Sequence, residues 1–322
     1  MGPGKSPFEQ AIARMEGSGL KMMLRRLSED WGTARNDHNI EEVLFEQQLW
    51  SLMARQWLTQ GKQLQSPAHE ALLDDPHPEE EKRILNLHGS IADGWVLAAK
   101  YPDIMVYTLS ADQDEPLVQN HNWAAPRNHH ISCIPATDDF FPFPDNHFDV
   151  ITSRRFASVV KSKSWLSVFQ ECHRCLKPRG WLEVQSLDAV PSRHGELLTA
   201  WLEARLIPGI EDSGLVAKSA KRVLDYMEIA GFGEIKTCKI ALPVIAKASL
   251  SHEHQDKQDA VKLMVHTGRH YYQELYREFL RGGCSGSGGK SPWWWGNKTI
   301  REECERMGTL FGFLVSFGQK EF

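Results

Sequence analysis

Between residues 83 and 245 short apolar runs alternate with amphipathic stretches, the pattern of a doubly wound sheet with helices on both faces. The strand candidates are 84–88, 104–109, 131–134, 148–152, 180–186 and 235–242. The segment 164–175 puts Trp165, Val168, Phe169 and Cys172 on one helical face, and Lys177-Pro178-Arg179-Gly180 follows as a basic, helix-breaking stop. Two more helical segments fill 190–232.

Upstream, the pattern is helical from about Phe8 to Gly61, with an interruption near Asp37-His38-Asn39. Within it, 40–58 repeats apolar positions such as Val43, Leu44, Trp50, Met53 and Trp57 at three- and four-residue spacing, which predicts a helix packed on a domain. Downstream, a helix over 256–280 leads into a glycine- and serine-rich tract at 282–289, which by composition is a flexible linker, native or introduced. A helix over 297–307 and an apolar run over 309–318, suited to a last strand, close the chain. Trp293-Trp294-Trp295 stands between the linker and that helix. Three adjacent indoles do not share one side of a helix or strand, so at least one is expected at a ligand mouth or a protein interface. The chain divides into a tail and helical cap over 1–78, an α/β core over 79–250, and a lid-like helical insertion with linker, helix and strand over 251–322.

Composition narrows the function. Of 322 residues, 41% are hydrophobic and 25% charged, enough for one large packed domain with additions. The net charge of −5 is spread without a long basic run, so nucleic acid is not an expected partner. Six cysteines in this length fit a reducing compartment. No apolar run reaches the roughly 18 residues of a membrane span, and no secretory pattern opens the chain. A cytoplasmic location is expected, with the nucleus as the alternative. Cys172 and Cys175 form a Cys-x-x-Cys without a second pair, so no metal site is expected.

The residues Ile84-Leu85-Asn86-Leu87-His88-Gly89-Ser90-Ile91-Ala92-Asp93-Gly94-Trp95 have the layout of a first strand, turn and helix that would hold S-adenosylmethionine (SAM). Phe148-Asp149-Val150-Ile151-Thr152-Ser153-Arg154 and Leu176-Lys177-Pro178-Arg179-Gly180-Trp181-Leu182-Glu183-Val184-Gln185 continue that layout. With Trp165 between them, these segments resemble the fungal LaeA-like and UMTA-type methyltransferases, whose pattern runs FD-x-I-H-x-R, then W, then R-x-LKPGGW-x-E-x-Q. The resemblance spans about residues 40–190. It implies a Rossmann-like class I methyltransferase fold with a mostly parallel seven-stranded sheet. It also implies a role in secondary metabolism, as a tailoring enzyme or as a regulator that associates with velvet proteins.

The resemblance also implies where SAM would lie, and there the chain departs from it. His88, Ser90 and Ala92 stand where the pattern has glycines, which let the backbone approach the cofactor. Ser110, at the end of the second strand, replaces an acidic residue that would hold the ribose, and Ala136 replaces one that would meet adenine. The vestigial cofactor site is therefore His88, Gly89, Ser90, Ala92, Ser110 and Ala136, and no cofactor is expected, SAM being the alternative.

A ligand in the former cleft would meet His88 and Asp93 from the turn and Asp138 and Asp139 from the opposite rim, an arrangement suited to general acid–base work; His88 could equally plug the cavity. Trp123 and His129 could stack on a flat ligand or cover the sheet edge, and His266, His270, Tyr272 and Trp294 are second candidates for a substrate wall. The leading expectation is loss of methyl transfer, with reuse to bind and cyclise or isomerise an apolar small molecule. The alternatives are a noncatalytic partner of other proteins and an active methyltransferase with an atypical pocket.

Overall fold

Strands β1 (Arg83–Leu87), β2 (Met105–Ser110), β3 (His129–Cys133), β4 (Phe148–Ser153), β5 (Leu176–Leu187), β6 (Phe232–Pro243) and β7 (Leu310–Lys320) pair in the order β3-β2-β1-β4-β5-β7-β6. β1 to β5 run parallel, and β7 is antiparallel to both its neighbours. This computed structural model describes residues 6–29, 40–73, 80–111, 124–138, 140–246, 255–282 and 291–321. Trp123, Asp139 and nearly all of the glycine- and serine-rich tract lie outside them.

The central strands are buried on both faces, which is why they are apolar almost throughout. Leu85, Leu109 and Ile151 point to one side, where they meet Phe156 and the helix α7 (Trp165–Cys175) with α10 (Ala220–Ile229). Ile84, Val106 and Val150 point to the other, under α5 (Ile91–Lys100) and the segment holding Leu64 and α4 (Ala68–Leu73). The N-terminal helices α1 (Pro7–Glu16), α2 (Leu20–Ser28) and α3 (Ile40–Leu58) pack on α5 through Phe8, Leu49, Met53 and Trp95. Leu49, Trp50, Met53 and Ala54 of α3 are buried, whereas Leu44 and Trp57 of its apolar pattern are exposed. The long helix α11 (Gln255–Tyr276) crosses the same side and reaches both α2 and β6.

Two details differ from the sequence pattern. Lys177–Gly180 is part of β5: Arg179 takes a left-handed backbone (φ 66°), the register shifts between Phe148 and Val150 of β4, and the strand continues. That bulge carries an extra turn of basic residues that reads as a loop.

The tryptophans are the second correction. Trp293, Trp294 and Trp295 are all buried, and the expectation that one of them reaches a mouth or interface does not hold. A short 3-10 turn at Trp294–Gly296 fans the rings, so Trp293 stacks on Trp295 at 5.0 Å while Trp294 meets Trp295 edge-on. Tyr272 and Phe311 complete the cluster. Helix α12 (Lys298–Met307) follows at once, its N-terminus capped by the Asn297 side chain.

Trp294→Ala should cost about 3–5 kcal/mol in urea unfolding, as expected for truncating a large, fully buried side chain. Trp57→Ala, on the exposed side of α3, should cost less than about 1 kcal/mol. Equal losses would contradict this placement of the indoles.

Candidate functional site

The turn between β1 and α5 brings the C-terminal ends of the parallel strands together, where open α/β sheets bind ligands. His88 occupies it with a left-handed backbone (φ 51°), a conformation that costs a non-glycine residue roughly 1–2 kcal/mol. Its amide donates to the Leu109 carbonyl of β2 at 2.7 Å, and its Nε2 is 3.0 Å from the Thr137 carbonyl in the loop after β3. One residue thus joins three of the walls that the resemblance assigns to a cofactor. The ring is buried, and its Nδ1 has no hydrogen-bond partner among the described residues. Burial, then the charge of Arg155, push its pKa down to about 4, so the imidazole is neutral at physiological pH.

The other turn residues are occupied locally. Gly89 is required by Asn86: a Cβ there would fall 2.0 Å from the Asn86 Oδ1. Ser90 caps α5, its Oγ accepting from the Asp93 amide while the Asp93 carboxylate accepts from the Ser90 amide and hydroxyl. Ala92 faces the N-terminal helices within their core. Ser110 ends β2 nearly buried, and Ala136 is half-buried beside Thr137. These residues do not fit the grip implied for SAM: an imidazole bridges the groove, and the two carboxylates of the pattern are a hydroxyl and a methyl group.

Asp93 is drawn away from His88 toward arginines. Its Oδ1 accepts from the Arg154 Nη1 at 2.5 Å and lies 3.6 Å from the Arg55 guanidinium. Burial raises its pKa, but the charges of Arg154 and Arg55 outweigh burial and hold the carboxyl below its ordinary range. Asp138 is exposed and accepts from the Ser164 hydroxyl at 2.6 Å, a bond that lowers its pKa. The structure therefore does not bring His88, Asp93 and Asp138 into one acid–base group.

The candidate wall residues are dispersed as well. His129 lies under α5, 2.9 Å from the Thr108 hydroxyl, and its pKa is pushed down to about 4 by burial and by His130. His270 bonds to the Leu27 carbonyl and to Gln47, tying α11 to α2 and α3. His266, on α11, is half-buried and its pKa is pushed down to about 4 by burial, then by His270 and Arg269. Tyr272 donates to the Ala189 carbonyl at 2.5 Å, and Trp294 is enclosed in the indole cluster. Cys172 and Cys175 are buried in α7, and burial raises both thiol pKa values.

A narrow cleft lies nearby, between α3, α11 and the sheet, with a cavity volume of about 30 Å3. Arg55, Gln63, Arg154 and Tyr271 give it a polar end, and Leu52, Leu58, Ile240, Leu242 and Phe313 an apolar one. The Arg154 Nη2 donates to the Gln63 Oε1 at 2.8 Å, and the Tyr271 hydroxyl donates to the Arg154 carbonyl at 2.6 Å. Arg55 lies 4.6 Å from the Tyr271 ring centre. None of these residues was singled out from the sequence. The usable signal is the polar line Arg55, Gln56, Thr59 and Gln63 at helical and near-helical spacing beside apolar Leu52.

A family model described as a methyltransferase domain matches residues 94–184. Methyltransferase pytC of Aspergillus terreus is 31% identical over 106 residues, covering 31% of this chain and 32% of that protein, so the match spans about a third of that relative. Residues 94–184 are thus similar in sequence to a methyltransferase domain, in keeping with the Rossmann-like methyltransferase fold of the sheet. Among solved structures, the methyltransferase-fold chain is similar to phosphoethanolamine N-methyltransferase 2 of Haemonchus contortus bound to S-adenosyl-L-methionine. That pair is 15% identical with a TM-score of 0.45, covering 91% of this chain and 60% of the other. It is also similar to the 4+2 cyclase SpnF, at 15% identity and a TM-score of 0.43, covering 85% and 83%. Among the described residues no helix is long and apolar enough to cross a membrane, and no group of histidine, cysteine or carboxylate side chains could hold a metal ion.

Two buried, neutral histidines of this methyltransferase-fold chain carry a pH signature. A folded pKa of about 4 lies below the unfolded value of 6.5, so the unfolded state takes up protons first as pH falls. Stability should be full above pH 6.5 and drop toward pH 4, with each of His88 and His129 contributing about 2 kcal/mol of the loss between pH 7 and pH 5. Urea titrations at the two pH values check this. His88→Asn should remove its share of the difference, and an unchanged difference would refute the assignment.

Proposed function

We propose that this chain no longer transfers methyl groups and serves secondary metabolism by binding an apolar small molecule, which it cyclises or isomerises. The supporting observation is the bond from the buried His88 ring to the Thr137 carbonyl across the groove where the fold would seat SAM. A side chain in that position excludes the close backbone approach that the cofactor requires. Cyclisation and isomerisation conserve the atoms of the substrate and require no methyl donor, so the fold can keep catalysis without the groove.

The available cleft has the general composition of a small-molecule site, apolar with a few convergent polar groups. Its apolar side chains would shape a flexible substrate, and Arg55, Arg154 and Tyr271 would fix its orientation. The scaffold alternative drew on the helical additions and the tryptophan cluster, and burial of all three indoles removes the second of these supports.

A thermal-shift measurement with SAM or S-adenosylhomocysteine at about 1 mM tests the reading, because a ligand at 100 times its Kd stabilises by about 2.7 kcal/mol. The wild type should shift by less than about 1 °C, whereas a shift near 5 °C or more would restore a working methyltransferase. His88→Gly keeps the left-handed turn and removes the ring, and should gain a measurable shift with the same ligands.

A further inference from the structure

Arg55 differs from every other polar side chain that lines the cleft. Gln56 donates to the Gly61 carbonyl, Gln63 to Gln56, and Gln65 to the Lys62 carbonyl. The hydroxyls of Thr59 and Thr267 bond to helix carbonyls, Lys62 pairs with Glu70, and Arg154 has Asp93 and Gln63. Gln185 bonds to Glu183, and Tyr271 to the Arg154 carbonyl. By contrast, the Arg55 Nε and Nη1 are buried and have no hydrogen-bond partner among the described residues. Its side chain is only 11% exposed, and the one ion pair it makes among the described residues, to Asp93 at 3.6 Å, is to an oxygen already held by Arg154 at 2.5 Å.

A guanidinium does not lose its proton in a protein and presents its donors in a planar fork that suits a carboxylate. Arg55 and Arg154 share one Asp93 oxygen, and burial, with the Asp93 charge, raises the pKa of nearby Glu274 against the pull of Arg55. The same cleft is lined by apolar side chains, Leu52 on the helix of Arg55 and Leu242 and Phe313 on the sheet.

We propose that this cleft binds an amphipathic small molecule with an apolar body and a single anionic oxygen head, a carboxylate or an enolate, and that Arg55 takes the head. The inference rests on the reading above that the chain handles a small apolar molecule and adds the charged head to it. Arg55 is a binding residue here. Arg154 and Tyr271 position it and are held in turn by Asp93 and the backbone.

Calorimetric titration with octanoate and with 1-octanol, which share an apolar chain and differ in the head, tests the assignment. Wild-type protein should bind octanoate at least about tenfold more tightly than octanol, the scale of one charge-assisted contact. Arg55→Met should bring the two within about threefold while leaving octanol within about twofold of wild type. If that variant does not fold, Arg55→Lys, which keeps the charge beside Asp93 and loses the fork, should weaken octanoate by about fivefold and leave octanol unchanged. Equal binding of the two probes to wild type would overturn the anionic head and leave the small-molecule reading standing. A preference that survives in the variant would overturn the role of Arg55, and binding of neither probe would overturn the cleft as a site. Failure of the underlying reading is seen separately, as stabilisation of the wild type by SAM.

Discussion

The ion pair of Asp93 and Arg154 holds the ligand-binding end of the sheet together. Asp93 sits in the first turn of α5 and Arg154 just past β4, so the pair fixes the helix over the strand ends. Two further elements attach to the same arginine: Gln63, from the segment after α3, through Nη2, and Tyr271, from α11, through the carbonyl. Two charges out of water gain only if their remaining donors and acceptors are filled. Here they are, because the Ser90 amide and hydroxyl take the second Asp93 oxygen. Loss of either partner would strand a buried charge, at about 3–5 kcal/mol, and would release the N-terminal helices and α11 from the core together.

The same pair redirects the chemistry of the turn. A helix N-terminus at the end of a first strand is a natural anion site, because its amides are unpaired. In this chain Asp93 supplies that anion from within, by pairing with the Ser90 amide, and Ser90 takes the Asp93 amide in return. His88 then joins β1 to β2 and to the loop after β3. Apart from the His88 Nδ1, the polar groups named at the groove and the helix end are thus taken by the chain itself, so a ligand there would have to displace internal hydrogen bonds. The cleft beside Arg55 carries no such penalty.

The sheet was legible because its parallel strands are buried on both faces, and Ile84, Leu85 and Leu87, with Val150 and Ile151, write that burial as nearly continuous apolar runs. The last strand was legible for the same reason, and its place beside β5 follows from the resemblance. The true start of β5 was hidden by the bulge at Arg179, where a strand borrows loop residues. The departures at His88, Ser90 and Ala92 could be read directly from the turn. Their consequence could not. Whether His88 acts on a ligand or fills the groove depends on Thr137, 49 positions away, and whether Asp93 serves His88 or an arginine depends on Arg154, 61 positions away. Linear spacing carries no information on contacts of that range. The tryptophan run misled for a related reason, since a 3-10 turn breaks the periodicity on which the argument about shared faces relied.

Several buried groups besides Arg55 lack a partner among the described residues, and they do not weigh equally. The hydroxyls of Ser51, Ser66, Ser186 and Ser316 are neutral rotors whose isolation costs little more than one lost hydrogen bond. Arg83 and Arg155 each have one buried nitrogen, the inner Nε, without a partner. Arg55 leaves two nitrogens of a permanent charge unpaired, and its stacking on Tyr271 covers a face of the guanidinium without satisfying its edge. A fold that pairs the groups of the β1–α5 turn with its own side chains has the means to close this edge too. A glutamine or a leucine at position 55 would fit the helix without the desolvation cost of a charge. An unpaired guanidinium in an otherwise satisfied cleft is therefore better explained by an acceptor that arrives from outside than by packing.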